Sequence, residues 1–246
     1  MSVNQAGINV NFTNLGLLIT RISVFPNGYN PSRSELSIAS LTNCLNHAQD
    51  VKSSFLNAVV IEKNAQTQFN ASFDGFDSFI TRVGNAVSIC GAPRHTIEQI
   101  EVILRDLHGR RATALVSKPT VTTDNTAVPE SNQITRHIST TESKLESFNT
   151  LIQLLSSVPL YVPNEEDLST VGLAKRYNTM KMVDMNYKTA LASLDAAREL
   201  RNNIINAEGT GLVDIANAAK TYVKSVYGAT SHEYKSISDL TFKKVV

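Results

Sequence analysis

Apolar residues recur mostly every three or four positions along two long stretches of the chain. In the first stretch they are Ile38, Leu41, Leu45, Ala48, Phe55, Val59, Phe69, Phe73, Phe76, Ile80 and Val83. In the second they are Leu168, Val171, Tyr177, Met180, Tyr187, Leu191, Leu194, Ala197 and Ile204. This spacing places apolar side chains on one face of an α-helix, where they can pack against another helix.

Glycine and proline set the expected bounds of these helices. Neither residue interrupts 32–74, and only Gly172 interrupts 164–208. Each stretch therefore predicts a long helix of about 40 residues, which would be roughly 60 Å long. A break near Gln49-Asp50 is the alternative for the first helix, and it would give shorter bundles.

Shorter return helices are expected after each long one. Asp74-Gly75 and residues 208–211 have the composition of turns. The return helices are predicted at about 76–90 and 212–227.

Two pairs of similar sequences indicate an internal duplication. YNPSRSEL at 29–36 matches YVPNEEDL at 161–168, and VSICGAPRHTIEQI at 87–100 matches KSVYGATSHEYKSI at 224–237. The first pair predicts helix starts, marked by Pro31 and Pro163, because proline and acidic residues suit the first turn of a helix. The second pair predicts helix ends at glycine followed by a new start at histidine. These landmarks are Gly91, His95, Gly228 and His232.

The duplication suggests a division into four segments. Residues 1–28 form a β-prone arm, 29–103 the first helical unit, 104–160 connecting helices with a Thr/Asn/Pro-rich loop, and 161–246 the second unit with an extended C-terminal tail. The connecting helices are predicted at about 95–109 and 132–157. The predicted fold is all-α, an elongated up-and-down helical bundle of two tandem related helical-hairpin units with minor β-prone termini.

Four segments have the composition of strands. Ile8, Val10 and Phe12 alternate with polar residues, and residues 17–25, 114–123 and 237–246 are rich in β-prone side chains. They predict a small sheet or exchanged terminal arms at the end of the bundle.

Charge is scarce, and this excludes several classes of protein. The formal net charge is +1, and only 18% of the residues are charged. Such a balance lacks the basic excess that holds nucleic acid. No secretory signal, membrane-spanning stretch or lipidation motif is recognised. The expected location is cytoplasmic, with Cys44 and Cys90 reduced and packed as small apolar residues.

Sequence patterns that carry catalysis or bind cofactors were also sought. The chain has no Glu-x-x-His pair, no His-x-x-x-His, no Cys-x-x-Cys and no phosphate-binding glycine loop. We therefore expect neither a metal nor another cofactor, and no enzymatic activity. The alternative is a site for a charged ligand near the second turn, formed by Arg198, Glu199, Arg201 and Asp214.

Two clusters are candidate interaction sites. Phe69, Phe73, Phe76 and Phe79 straddle a predicted turn, where they would form either part of the core or an adhesive or membrane-inserting tip. Arg110 and Arg111, after His108, form the densest basic spot, which could contact a phosphate or the end of a helix.

The segment YGATSHEYKSISDLTFKK, with TGLVD ahead of it, resembles a C-terminal element in a group of uncharacterised bacterial helical proteins. The resemblance covers about 209–244. It implies a bacterial, cytosolic, all-helical protein and carries no activity with it.

These observations favour a non-enzymatic structural or interaction protein whose partner is itself, as an oligomer or filament, or another protein. Low charge weakens repulsion between copies, and apolar helix faces can pack together. The alternatives are a membrane-active helical protein and a small-ligand carrier or enzyme whose site has no recognisable motif. Nucleic acid is not expected as a partner.

Overall fold

The structure is a computed structural model that describes residues 3–25, 28–109 and 140–245. Within these ranges the chain forms eight α-helices and two short 3-10 turns, and no strand. The helices are α1 Val3–Ile22, α2 Ile38–Phe73, α3 Phe76–Ile89, α4 Arg94–Leu107, α5 Thr141–Ser156, α6 Thr170–Asn206, α7 Leu212–Tyr227 and α8 His232–Ser238. The predicted all-α class is confirmed.

The two long helices and their return helices agree closely with the apolar periodicity. Helix α2 runs for 36 residues without a break at Gln49-Asp50, and α6 runs for 37. The turn after α2 uses Gly75, whose φ of +66° favours glycine. Ser231 caps α8, because its side chain accepts a hydrogen bond from the backbone N–H of Tyr234.

The long helices begin later than Pro31 and Pro163 predict. Each proline is followed by a 3-10 turn, at Ser34–Leu36 and Glu166–Leu168, and only then by the α-helix. Serine residues act as the N-caps, since Ser40 N donates to Ser37 Oγ and Gly172 N donates to Ser169 Oγ. The prolines therefore mark the approach to each helix rather than its first turn.

The expected β-prone arm at residues 1–28 is wrong, because this segment forms α1. Burial explains the difference. Ile8, Leu15, Leu18 and Ile22 lie on the packed face of α1, whereas Val10 is half exposed. Tertiary packing thus overrides a local strand preference. Residues 114–123 and the Thr/Asn/Pro-rich loop lie outside the described residues, and 240–245 is extended but forms no ladder with another described segment.

The chain divides into two compact units. Unit 1 comprises Met1–Ala65 and Tyr187–Val246. It contains α1, the first 3-10 turn, the start of α2, the end of α6, α7 and α8. Its core includes the fully buried side chains Leu15, Leu18, Leu41, Leu212, Val223 and Ile237.

Unit 2 comprises Gln66–Asn186. It contains the end of α2, α3, α4, α5, the second 3-10 turn and the start of α6. Its core surrounds Phe148 and includes Ile80, Ile100, Leu107, Leu151 and Leu173. Each unit therefore has the same kinds of element, and each combines the start of one predicted helical segment with the end of the other.

Candidate functional site

The phenylalanine cluster predicted as an interaction site belongs mainly to the core of unit 2. Phe76 and Phe79 are 3% and 4% exposed, and both contact Phe148 edge-on. Phe73 packs against the same core, and Phe69 stacks at a tilt on Phe73. Phe76 and Phe79 are therefore unavailable as an exposed, membrane-inserting tip.

A cation covers the edge of this aromatic cluster. The Arg176 guanidinium lies 4.1 Å from the centre of the Phe79 ring, and burial lowers the pKa of that guanidinium. Such a cation–π contact allows a partly buried cation to remain charged beside aromatic rings. The second predicted interaction site, Arg110 and Arg111, lies outside the described residues.

Three of the four residues proposed to hold a charged ligand, Arg198, Arg201 and Asp214, each contact a different partner. Arg198 pairs with Asp195 at 2.7 Å, and Arg201 donates to Asn202 while it lies 4.2 Å from the Phe55 ring centre. Glu199 is exposed, and among the described residues no side chain pairs with it. The contacts of these residues do not bring them together around a common ligand.

Asp214 instead fixes a turn. Its carboxylate accepts a hydrogen bond from Gly209 N at 2.9 Å and lies 3.4 Å from Lys244 Nζ. The bond from Gly209, and then the Lys244 ammonium, lower the pKa of this carboxyl group. This carboxylate therefore serves the fold of unit 1.

The histidine and cysteine landmarks also lack the surroundings of a reactive site. His95 and His232 are exposed at helix starts, and no group of three or more His, Cys, Asp or Glu side chains in the described part of the chain is arranged to hold a metal ion. Cys44 shares a shallow depression with His47 and Asn203. Burial raises the pKa of the Cys44 thiol, so the thiolate form needed for nucleophilic chemistry is disfavoured there.

An exposed face on the first half of α6 is the clearest interaction surface in unit 2. It consists of Val171, Lys175, Asn178, Thr179 and Met182, and is called the α6 face below. Their spacing places all five on one side of the helix. Val171 is 78% exposed and Met182 57% exposed, and Lys175 carries the only charge among the five.

A groove between α1 and α2 in unit 1 offers a contrasting surface. Phe12, Leu17 and Leu56 give it apolar walls, and its volume is about 720 Å³. The Lys52 ammonium lies within it, donates to Asn9 Oδ1 at 2.7 Å and lies 5.8 Å from the centre of the Phe12 ring. A partner in this groove would have to cover the Lys52 ammonium, which already has a hydrogen-bond partner in Asn9 and an aromatic neighbour in Phe12.

Unit 1 also holds residues 239–245, in which 240–245 follow the turn at Asp239, through side chains that the sequence pattern did not indicate. Asn11 and Asn206 each bond to both the N–H and the C=O of one residue of that segment. Asn11 is 2% exposed, although it stands between Val10 and Phe12. Asn11 and Asn14, among the apolar residues of α1, are the sequence signal for this role.

Among the described residues, no helix has both the length and the apolar character needed to cross a membrane. No family model matches the sequence, and no curated protein or solved structure is significantly similar to the chain.

Proposed function

We propose that this protein is a non-enzymatic structural or interaction protein that associates with copies of itself. The observation that carries this proposal is the α6 face, an exposed helix surface in which Val171 and Met182 flank Asn178, Thr179 and one charged side chain, Lys175. Exposed apolar surface of this kind is typical of protein–protein contacts.

Charge supports the choice of a second copy as the partner. The formal net charge of +1 gives little repulsion between copies, and the α6 face contributes one ammonium group in five residues. Lys175 is exposed. Its long aliphatic stem lets the ammonium reach water, so the charge can remain hydrated when the face is covered.

An internal duplication is part of the proposal. The segments after Tyr29 and Tyr161 share a 3-10 turn, a serine N-cap and a long helix in the same order. Ancestral copies able to pack on each other would explain both the related helices and self-association. We place the protein in the cytoplasm of a bacterium, in line with the resemblance of residues 209–244.

Substitution of Met182 by Glu tests the proposal. A carboxylate within the contact would have to be desolvated, so we expect the oligomeric fraction at a given concentration to fall at least tenfold. Light scattering coupled to size-exclusion chromatography measures that fraction. The control is Gln99→Glu, which adds the same charge at an exposed position of α4.

The proposal fails if the unmodified protein is a monomer at every concentration tested. The α6 face in particular is excluded if Met182→Glu and Gln99→Glu leave the oligomeric fraction equally unchanged.

A further inference from the structure

Residues 239–245 of unit 1 lie against the body of that unit as an extended peptide would lie in a binding groove. Leu240, Phe242 and Val245 point inward and are 3%, 8% and 9% exposed. Thr241, Lys243 and Lys244 are exposed between them. The segment therefore has a buried face and a solvent face, although it pairs with no strand among the described residues.

Two asparagines bind the backbone of this segment as a neighbouring strand would. Asn11 Nδ2 donates to Lys243 O at 2.8 Å, and Lys243 N donates to Asn11 Oδ1 at 3.1 Å. Asn206 makes the same pair of hydrogen bonds with Val245. Val245 N donates to Asn206 Oδ1 at 3.0 Å, and Asn206 Nδ2 donates to Val245 O. These paired bonds require an extended backbone and no particular side chain.

Further contacts fix the register of the segment. Asn14 Nδ2 donates to Thr241 O at 2.8 Å, and Lys244 pairs with Asp214 at 3.4 Å. The Asn11 side chain is buried, so an empty groove would leave its amide poorly satisfied. The groove is thus complementary to a peptide that has apolar residues at the positions of Leu240, Phe242 and Val245.

A short link at Asp239 joins helix α8 to the segment. Helix α8 ends at Ser238, and Asp239 follows with its carboxylate 3.0 Å from Arg21 Nη1. Lys220 Nζ donates to Ser238 O at 3.2 Å and also to Leu240 O. A change of backbone angles at this link would redirect the segment without disturbing α8.

We propose that the groove also binds residues 239–245 of a second copy, so that two chains exchange their segments. This inference rests on the proposed self-association and names one contact through which it occurs. The exchanged segment would make the same asparagine, apolar and Lys244–Asp214 contacts as it makes within one chain. Exchange of an identical element is a low-cost route to an oligomer, and mass action favours it as concentration rises.

A disulfide can record which chain fills the groove. A Cβ atom placed on Gly7 would lie 3.6 Å from Val245 Cγ2, so these two positions are neighbours and a Gly7→Cys, Val245→Cys pair is chosen to trap the contact as a disulfide. The pair is placed in a chain whose native thiols are removed by Cys44→Ala and Cys90→Ala. After oxidation, we expect a disulfide-linked dimer whose share rises with protein concentration.

The matched control pairs Gly7→Cys with Thr241→Cys. Thr241 is exposed on the solvent face of the segment, so this pair measures disulfides formed by random collision. The expected result is several-fold fewer linked dimers than with Val245→Cys. Equal yields from the two pairs would overturn the proposal.

The native ion pair gives a second measurement that needs no substitution. Carbodiimide coupling joins Lys244 Nζ to the Asp214 carboxyl group, which lie 3.4 Å apart. In an equal mixture of ¹⁴N- and ¹⁵N-labelled chains, refolded together, links within one chain carry one label only. Links between randomly paired chains carry both labels in about half of cases. We expect this mixed fraction to rise from near zero in dilute protein toward that limit.

The outcomes separate this inference from the proposed function. Links within single chains at every concentration, together with oligomers by light scattering, would overturn segment exchange and leave self-association standing. Links within single chains and a monomer by light scattering would overturn both.

Discussion

Two tyrosines at matching positions of the related sequences differ in what their hydroxyl groups contact. The Tyr161 hydroxyl is buried in unit 2 and donates to Leu168 O at 2.8 Å. The Tyr29 hydroxyl is buried in unit 1, packs beside Tyr222, and has no hydrogen-bond partner among the described residues. A buried hydroxyl contributes to stability only when it is paired, so the two side chains should respond differently to the same substitution.

We predict that Tyr161→Phe lowers the free energy of unfolding by about 1–2 kcal/mol, because Leu168 O loses its buried donor. Tyr29→Phe serves as the matched control and should leave that free energy unchanged or raise it by about 1 kcal/mol, because it removes a buried hydroxyl that has no partner among the described residues. Urea unfolding measures both. Equal losses for the two variants would contradict the prediction.

The same tyrosine predicts a pH dependence. Burial, followed by the nearby Cys90, Asp167 and Glu165 charges, raises the pKa of Tyr161 to about 12. The folded state thus keeps the proton that the unfolded state releases near pH 10, and stability falls between these two values. Urea titrations at several pH values measure the free energy of unfolding. Between about pH 10 and 12, this free energy should fall less for Tyr161→Phe than for the unmodified protein. An equal fall in the two proteins would show that groups other than Tyr161 cause the pH dependence.

At the scale of elements, the start of α6 depends on a close backbone approach. A Cβ atom on Gly172 would lie 2.1 Å from the carbonyl oxygen of Glu166, in the preceding 3-10 turn. Helix propensity alone disfavours glycine in a helix, so the glycine is explained by this contact rather than by the helix. By contrast, a Cβ atom on Gly16 in α1 would make only an ordinary contact, 3.7 Å from Leu45 Cδ2.

Alanine at these two glycines should therefore have opposite effects. Gly172→Ala should destabilise the protein by about 1–3 kcal/mol, because the backbone of the 3-10 turn must shift. Gly16→Ala should stabilise it by about 0.5–1 kcal/mol, because alanine restricts the unfolded chain and favours the helix. Thermal unfolding of the two variants measures whether each substitution raises or lowers the stability. A stabilising Gly172→Ala would show that the turn tolerates a side chain.

At the scale of the whole molecule, charge is sparse and nearly balanced. The proposed contacts bury apolar side chains and amide–backbone hydrogen bonds, and the segment adds two partly exposed ion pairs, Lys244–Asp214 and Arg21–Asp239. Interactions between exposed charges weaken as salt is added, whereas apolar contacts do not. Salt therefore distinguishes the two origins of self-association.

We predict that raising the salt concentration from about 0.05 M to about 0.5 M changes the dissociation constant of the oligomer by less than about threefold. Sedimentation at several protein concentrations measures it. An increase of tenfold or more would show that ionic contacts hold the copies together.

The apolar spacing predicted α2, α3, α6 and α7 because a helix face that packs on a core repeats at the helix period wherever it occurs in the chain. Serine N-caps and turn glycines predicted where these helices begin and end to within a few residues. Asn11 shows where this reasoning stops. Its amide looks like an interruption of an apolar stretch in sequence, and its role depends on Lys243, which lies 232 positions later.

The sequence by itself thus determined the helical class, the long helices and their turns, since these depend on local spacing and backbone preference. Only the tertiary structure decided that residues 3–22 are helical, that Phe76 and Phe79 are core, and that each unit combines parts of both related segments. Those outcomes depend on which surfaces, far apart in the sequence, pack against each other in the folded chain. That burial is set by the contacts of the folded chain rather than by neighbouring residues.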